Sequence, residues 1–125
     1  TGYAPIALEH NLGVLPYYSL ASGFLTGKYR SQDDFTGRVR ERMASRYLTD
    51  AGLAVVDALG EIATAHAVEI STVALAWLLT RPGVVAPLAS VSGIEQLPAL
   101  LDATRLTLTD LERDRLTALS NAVGA

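Results

Sequence analysis

The chain has 125 residues, half of them apolar, with no cysteine and a formal net charge of −3. That length fits one domain with a sizeable core, while the missing thiols exclude disulfides, thiolate metal sites and thiol catalysis, and the charge gives no reason to expect nucleic acid as a partner. No apolar run reaches the roughly 20 residues of a membrane span, Thr1-Gly2-Tyr3-Ala4-Pro5 lacks the basic and apolar regions of a secretory signal, and the expectation is a cytoplasmic protein without membrane partners.

The first segment carries no initiator Met and reads as the interior of something larger, which predicts a piece of a longer protein. Ile6 to His10 reads as a short helix stopped at Asn11. Leu12-Gly13-Val14-Leu15-Pro16-Tyr17 is an apolar run of strand length. Residues 19–29 mix small residues with two glycines and read as loop. Ser31 to Arg46 is polar, with Arg38, Arg40, Arg42 and Arg46 set against Asp33, Asp34 and Glu41; it reads as a surface loop running into a helix.

Asp50 is expected to cap a helix reaching about Ala67, in which Leu53, Val56, Leu59, Ile62 and Ala63 recur at three and four and mark one buried face. Ser71 is expected to cap the next helix, through Thr80, whose nearly continuous apolar positions predict burial on more than one side. Arg81-Pro82-Gly83 ends it. Val84 to Ala89 is a second strand-like run. Ser92-Gly93-Ile94-Glu95 has capping-box spacing and predicts a helix to about Ala103, with Pro98 awkwardly inside. Thr109-Asp110-Leu111-Glu112 repeats that spacing and opens a final helix. Strand-like runs separated by helices predict an α/β class with two parallel strands. Two such strands leave both edges unpaired, which points to a larger parent.

Two segments draw attention as anion sites. Gly23-Phe24-Leu25-Thr26-Gly27-Lys28 combines glycines, which let backbone N–H groups approach a phosphate, with a lysine. A nucleotide-binding P-loop needs four residues between the glycines and Ser or Thr after the lysine; here there are three, and Tyr29 follows, so that reading fails. An ordinary loop with turn glycines is the plain alternative. Ser90-Val91-Ser92-Gly93 lies between a strand-like run and a helix, where helix-end N–H groups favour anions; simple helix capping is the alternative. Both segments follow the C-terminal ends of strand-like runs, where α/β folds place ligands.

Val14-Leu15-Pro16-Tyr17-Tyr18-Ser19-Leu20-Ala21-Ser22-Gly23-Phe24-Leu25-Thr26-Gly27-Lys28-Tyr29 resembles the aldo-keto reductase pattern of a strand ending in aromatic-Ser-Pro-Leu, followed by small residues, Gly and Leu-Thr-Gly-Lys-Tyr. Ala74 to Leu79 with Pro82-Gly83-Val84 resembles that family's penultimate helix and the turn after it. Ser90-x-Ser92-x-x-x-Gln96-Leu97 resembles its adenosine-holding segment, and Leu106 to Ser120 its closing helix. The resemblance covers nearly the whole chain in order, and it implies one partial domain over 1–125, the C-terminal portion of a (β/α)8 TIM barrel whose seventh and eighth strands are the two runs.

It also implies NADP(H) as cofactor and a small carbonyl compound as substrate of the intact enzyme, which would reduce aldehydes or ketones to alcohols. Tyr17 would stack on the nicotinamide, with a strand-end core residue as the plain alternative. Tyr18, Ser19, Leu20, Ala21 and Ser22 would line the pyrophosphate, mainly by backbone N–H groups, with the Ser22 hydroxyl assisting. Lys28 would lie near the phosphates, with a solvated loop lysine as the plain alternative, Ser90 and Ser92 at the 2′-phosphate, and Gln96 at the adenine. The sequence departs from the family at Tyr18 and Ser19, which replace Ser and Pro, at Ala99 and Leu100, which replace Glu and Asn, and at Ser92, where many members carry arginine. No catalytic Tyr-Lys-Asp-His set and no metal site is read in this chain, so the expectation is a cofactor-binding half without turnover of its own. Tyr3, Tyr29, Tyr47, His10 and His66 are not assigned chemistry. The alternative reading is a non-catalytic interaction or regulatory module, with self-association through the exposed apolar edges.

Overall fold

The computed structural model describes residues 2–124. Among them run α1 (Tyr3–Glu9), α2 (Val39–Ser45), α3 (Asp50–His66), α4 (Ile70–Leu79), α5 (Leu97–Asp102) and α6 (Asp110–Val123), with short 3-10 turns at Ala21–Thr26, Gln32–Asp34 and Ile94–Gln96. The core lies where α3 meets α4 and α6. Ala58, Leu59, Ile62 and Ala63 of α3 close on Val73, Ala74 and Ala76 of α4 and on Leu108 and Leu116. The three-and-four spacing of α3 thus supplies one apolar stripe, and α4 is buried continuously from Thr72 to Ala76, as its unbroken apolar composition demands. A second cluster of Phe24, Tyr29, Ala44 and Val56 ties the 21–26 turn and α2 to α3.

The helix ends show which local signals were sufficient. Thr49, one residue before the expected Asp50, caps α3: its hydroxyl oxygen accepts the Gly52 N–H at 3.0 Å. Asp50 instead occupies the first turn, where a carboxylate meets the positive helix end. Ser71 lies inside α4, whose N-cap is Glu69. Pro98 sits in the first turn of α5, where its missing N–H costs no helical bond, so it distorts nothing.

At α6 the expected capping box forms, with the Glu112 N–H donating to the Thr109 hydroxyl at 3.2 Å and the Thr109 N–H to the Glu112 carboxylate at 2.8 Å. The same carboxylate meets His66 Nε2 at 2.9 Å, joining the end of α3 to the start of α6. Burial alone pushes the Glu112 carboxyl up, but the Thr109 N–H, His66 and the Thr109 hydroxyl outweigh it and hold the group below its ordinary 4.5. A carboxyl depressed on folding contributes stability above its unfolded value and loses it as pH falls through the lower folded value. The unfolding midpoint is therefore expected to drop on acidification below about pH 5. Glu112→Gln should flatten that acid limb, as read by thermal melts across the range; an unchanged limb would place the pH sensitivity elsewhere.

The α/β expectation is overturned. Among the described residues there is no strand and no sheet, only a parallel bridge between Val14 and Val84, so the molecule is not a barrel portion with two parallel strands. The two runs do lie side by side, joined by Val14 N–H to Gly83 O (2.8 Å), Val85 N–H to Val14 O (3.0 Å) and Leu88 N–H to Pro16 O (2.9 Å). Pro16 and Pro87 each remove a donor, and a parallel pair with no further strand beside it gains too little to extend a ladder. No single helix among the described residues is long and apolar enough to cross a membrane; α3 and α4 together match a span in length and composition but are bent by 99° and supply the core.

Candidate functional site

The run 12–17 ends in a tight turn. The Ser19 hydroxyl is buried and donates to the Pro16 carbonyl at 2.7 Å, so it closes the turn and does not face solvent. Ala21, Ser22 and Gly23 then take φ of 48°, 58° and 93° in succession. Left-handed backbone costs a non-glycine residue roughly 1–2 kcal/mol, and here it is held by Ala21 N–H to Tyr18 O and Gly23 N–H to Leu20 O, both 2.9 Å, and by the Thr26 hydroxyl on Gly23 O at 2.7 Å. The N–H groups of Leu20 and Ser22 have no partner among the described residues. Gly23 takes φ 93°, which a side chain rarely adopts, and the flexible end of Lys28 lies close by, its Cε and Nζ 3.1 and 3.2 Å from where a Cβ would stand.

Beyond Lys28, the segment before α2 folds back on this turn. Glu41 accepts from the Thr36 N–H (2.8 Å), the Thr36 hydroxyl (2.9 Å) and the Arg38 N–H (2.9 Å). The Arg38 N–H, working against burial and helped by Thr36, holds the Glu41 carboxyl below its usual range. That anchored carboxylate fixes the start of α2 and with it Arg38 and Arg40.

Opposite stands the segment 88–96. The Ser92–Glu95 capping box does not form; the Gln96 side-chain oxygen accepts the Ser92 N–H at 3.0 Å and its hydroxyl at 3.3 Å, closing a turn in which Ser90 and Ser92 stay exposed. The buried Thr72 hydroxyl of α4 donates to the Ala99 carbonyl at 2.6 Å and so fixes α5 behind Gln96. Thr72→Val keeps the shape but removes that hydrogen bond, and should cost about 0.5–1.5 kcal/mol; a denaturant midpoint unmoved by the change would remove the anchor from the account.

Between these walls lies an open cleft of about 960 Å³, within the range of a small-molecule or cofactor site. Tyr17, Tyr18, Ser19, Leu20, Ser22 and Lys28 line one side, and Ser90, Ser92 and Gln96 the other. Ala21 alone among the ten expected residues turns away, into an apolar cavity of about 320 Å³ bounded by Leu59, Ala74, Trp77 and Leu116. Tyr17 is 76% exposed and meets Tyr18 edge-on at 4.9 Å, leaving its ring open to the cleft.

Arg38 and Arg40 also line the cleft, together with Glu41, Glu69 and Glu95. In the sequence those arginines belong to the polar Ser31–Arg46 segment, which reads as a surface loop running into a helix. Their charge-rich surroundings carry no apolar signal, and only the Glu41 anchor, visible as Arg38-x-x-Glu41, hints that the segment is held. The cleft therefore presents three cations beside three carboxylates, of which Glu41 is already satisfied by Thr36 and Arg38, together with backbone N–H groups, two exposed serines and an exposed aromatic ring. These groups suit an extended, polyanionic ligand with a planar ring at one end, and the Gly23–Lys28 cradle is the observation on which a nucleotide pyrophosphate fits.

The residues not assigned chemistry sit elsewhere. Tyr29 is buried and stacks on Phe35 at 4.6 Å, Tyr47 packs on Phe24, and His66 is engaged by Glu112. Among the described residues no group of three His, Asp or Glu side chains is arranged to hold a metal.

Comparison with known proteins adds independent findings. The family model for the aldo/keto reductase family matches residues 1–121. The chain is 32% identical over 105 residues to the NADP(+) aldo-keto reductase yakc of Schizosaccharomyces pombe, covering 82% of this chain and 31% of that protein. It is 34% identical over 122 residues to an uncharacterized oxidoreductase of Mycobacterium bovis, covering 94% and 36%. It is 34% identical over 89 residues to a probable voltage-gated potassium channel subunit beta of Arabidopsis thaliana, covering 67% and 27%. The chain thus spans about a third of the length of the curated relatives it matches.

Proposed function

The chain belongs to the aldo/keto reductase family, and from that premise we propose that it is the cofactor-holding part of an NADP(H)-dependent reductase of aldehydes or ketones. The observation that carries the reading is the single cleft in which the Tyr17–Lys28 turn faces the Ser90–Gln96 turn. Bound there, NADPH supplies the hydride for carbonyl reduction. The residues of this chain bind and orient. The Tyr17 ring offers a stacking face for the nicotinamide. The Leu20 and Ser22 N–H groups, with Lys28 and Arg38, offer donors and charge to the pyrophosphate. Ser90 and Ser92 offer hydroxyls to the 2′-phosphate, and Gln96, whose oxygen is engaged by Ser92, retains its amide N–H groups for the adenine.

The printed name of yakc, an NADP(+) enzyme, supports the choice of cofactor. The test is a thermal unfolding scan by circular dichroism with and without NADPH. Ligand at 100 times its dissociation constant should add about 2.7 kcal/mol to a native state that binds it. A cooperative transition that NADPH leaves in place would remove the reading. Kinship to a probable potassium channel beta subunit favours a second reading, a regulatory module built on the same cleft. NADPH binding is common to both, so turnover of a carbonyl substrate by the longer protein distinguishes them.

A further inference from the structure

The three carboxylates of the cleft differ in what they face. Glu69 and Glu95 are exposed. Glu41 is 8% exposed and lies in the first turn of α2, where its side chain reaches back to the segment just before the helix. It accepts the Thr36 N–H at 2.8 Å, the Thr36 hydroxyl at 2.9 Å and the Arg38 N–H at 2.9 Å. A carboxylate offers about four acceptor positions on its two oxygens, so these donors occupy most of them, and the group is turned to its own backbone. By charge alone a carboxylate here opposes a phosphate. By geometry it does the reverse, because the backbone it gathers is the one that carries Arg38.

The helix that carries Glu41 is itself seated on the glycine turn. Ala44 of α2 is fully buried in the cluster of Phe24, Tyr29 and Val56. One turn nearer the cleft, the Tyr18 hydroxyl donates to Met43 Sδ at 3.0 Å. The order of attachment therefore runs from the 21–26 turn to α2, from α2 through Glu41 to the Thr36–Arg38 backbone, and from there to the Arg38 side chain, which borders the cleft with Lys28. Every contact in that series lies within residues 18–56. A cation on a backbone fixed in advance loses less freedom when a ligand arrives than one on a loose loop, and ordering a long side chain or its loop opposes binding by a few-fold or more.

We propose that Glu41 is a positioning residue for the cofactor phosphates, acting through Arg38, whose backbone it holds so that the guanidinium stands at the cleft. This rests on the cofactor reading and assigns a role to a residue that does not itself touch the ligand. The test is calorimetric titration of NADPH into the full 125-residue chain, Glu41→Gln, Arg38→Ala, the double variant, and Glu69→Gln as a control, with a circular-dichroism melt of each sample. The sign of the first effect is decisive. Glu41→Gln removes a negative charge from a site for a polyanion, so a carboxylate that acted only by its field would bind NADPH more tightly once neutralised. A positioning residue gives weaker binding instead.

The expected result is an NADPH dissociation constant raised about 2- to 12-fold in Glu41→Gln, and unchanged or lowered in Glu69→Gln. In the Arg38→Ala background, Glu41→Gln should add nothing, the non-additivity that marks one residue acting through another. General damage to the fold would weaken binding by the same factor in both backgrounds. If Glu41→Gln shows no cooperative melt, Thr36→Val takes its place: it removes one hydroxyl donor from the same carboxylate at an exposed position, and should give a smaller loss that again vanishes with Arg38→Ala. Affinity retained or improved in a folded Glu41→Gln chain overturns the proposal alone, as does a loss that persists undiminished without Arg38. A folded parent chain that binds no NADPH overturns the cofactor reading and this proposal with it.

Discussion

Leu116→Ala is expected to lower the stability of the chain by about 2–5 kcal/mol, a large fraction of the roughly 5–15 kcal/mol that holds a domain of this size together. Leu116 is 2% exposed and is the point at which α6 enters the cluster built by Leu59, Ile62 and Ala63 of α3 with Val73 and Ala74 of α4. Three carbons are removed, and the cost above their transfer term depends on how far the site can collapse, at about 24 cal/mol per Å³ of void that remains. Leu116 also borders the apolar cavity of about 320 Å³, so the wall opposite is already missing and collapse has little to close on. That places the expected cost toward the upper end. Leu116→Met, which keeps volume, should cost less than about 1.5 kcal/mol. Denaturant melts of the three proteins decide the matter; an alanine variant as stable as the parent would mean that α6 is not packed on α3 and α4 as described. Filling the same cavity tests its apolar character from the other side, and Ser120→Leu should raise stability by about 0.5–2 kcal/mol.

The contrast between that core and the rest of the chain explains what the sequence made legible. The α3 stripe, the enclosed character of α4 and the Thr109–Glu112 capping box are local patterns, complete within a few turns of one helix, and each formed. Ser92–Glu95 carries the same spacing as Thr109–Glu112, yet its hydroxyl and N–H turn to Gln96, because a glutamine four residues on competes for the same donors. The runs 12–17 and 84–89 have strand composition, but strand formation depends on neighbours that a run cannot specify for itself, and with a proline in each they stop at a single bridge. The candidate site followed the same division. Glycine spacing and hydroxyls at segment ends marked the two turns that face each other across the cleft. Arg38 and Arg40 gave no such mark, since a charged stretch reads alike whether it faces solvent alone or borders a cleft, and their position depends on the Glu41 carboxylate gathering the backbone around Thr36 and Arg38.

Those two features, a cation pressed on the glycine turn and another held by an anchored segment, lead to the prediction with the largest expected effect on binding. Lys28→Ala and Arg38→Ala should each weaken NADPH by about 1.5–3 kcal/mol, the worth of a hydrogen bond to a charged group, which is about 10- to 150-fold in dissociation constant. Both side chains line the cleft, and neither belongs to the buried core, so the unfolding midpoint without ligand should hardly move. The affinity that remains should depend less steeply on salt, because each variant removes one screened attraction. Ser92→Ala makes a complementary test. Its hydroxyl belongs to the wall proposed for the 2′-phosphate, a group that NADH lacks, so NADPH should weaken while NADH stays as it was. Calorimetric titration of both dinucleotides into the four proteins measures all of this. If Lys28→Ala and Arg38→Ala bind NADPH as the parent does, the phosphates do not lie in this cleft. If they weaken it while Ser92→Ala weakens both dinucleotides equally, the pyrophosphate assignment stands and the 2′-phosphate belongs elsewhere along the cleft.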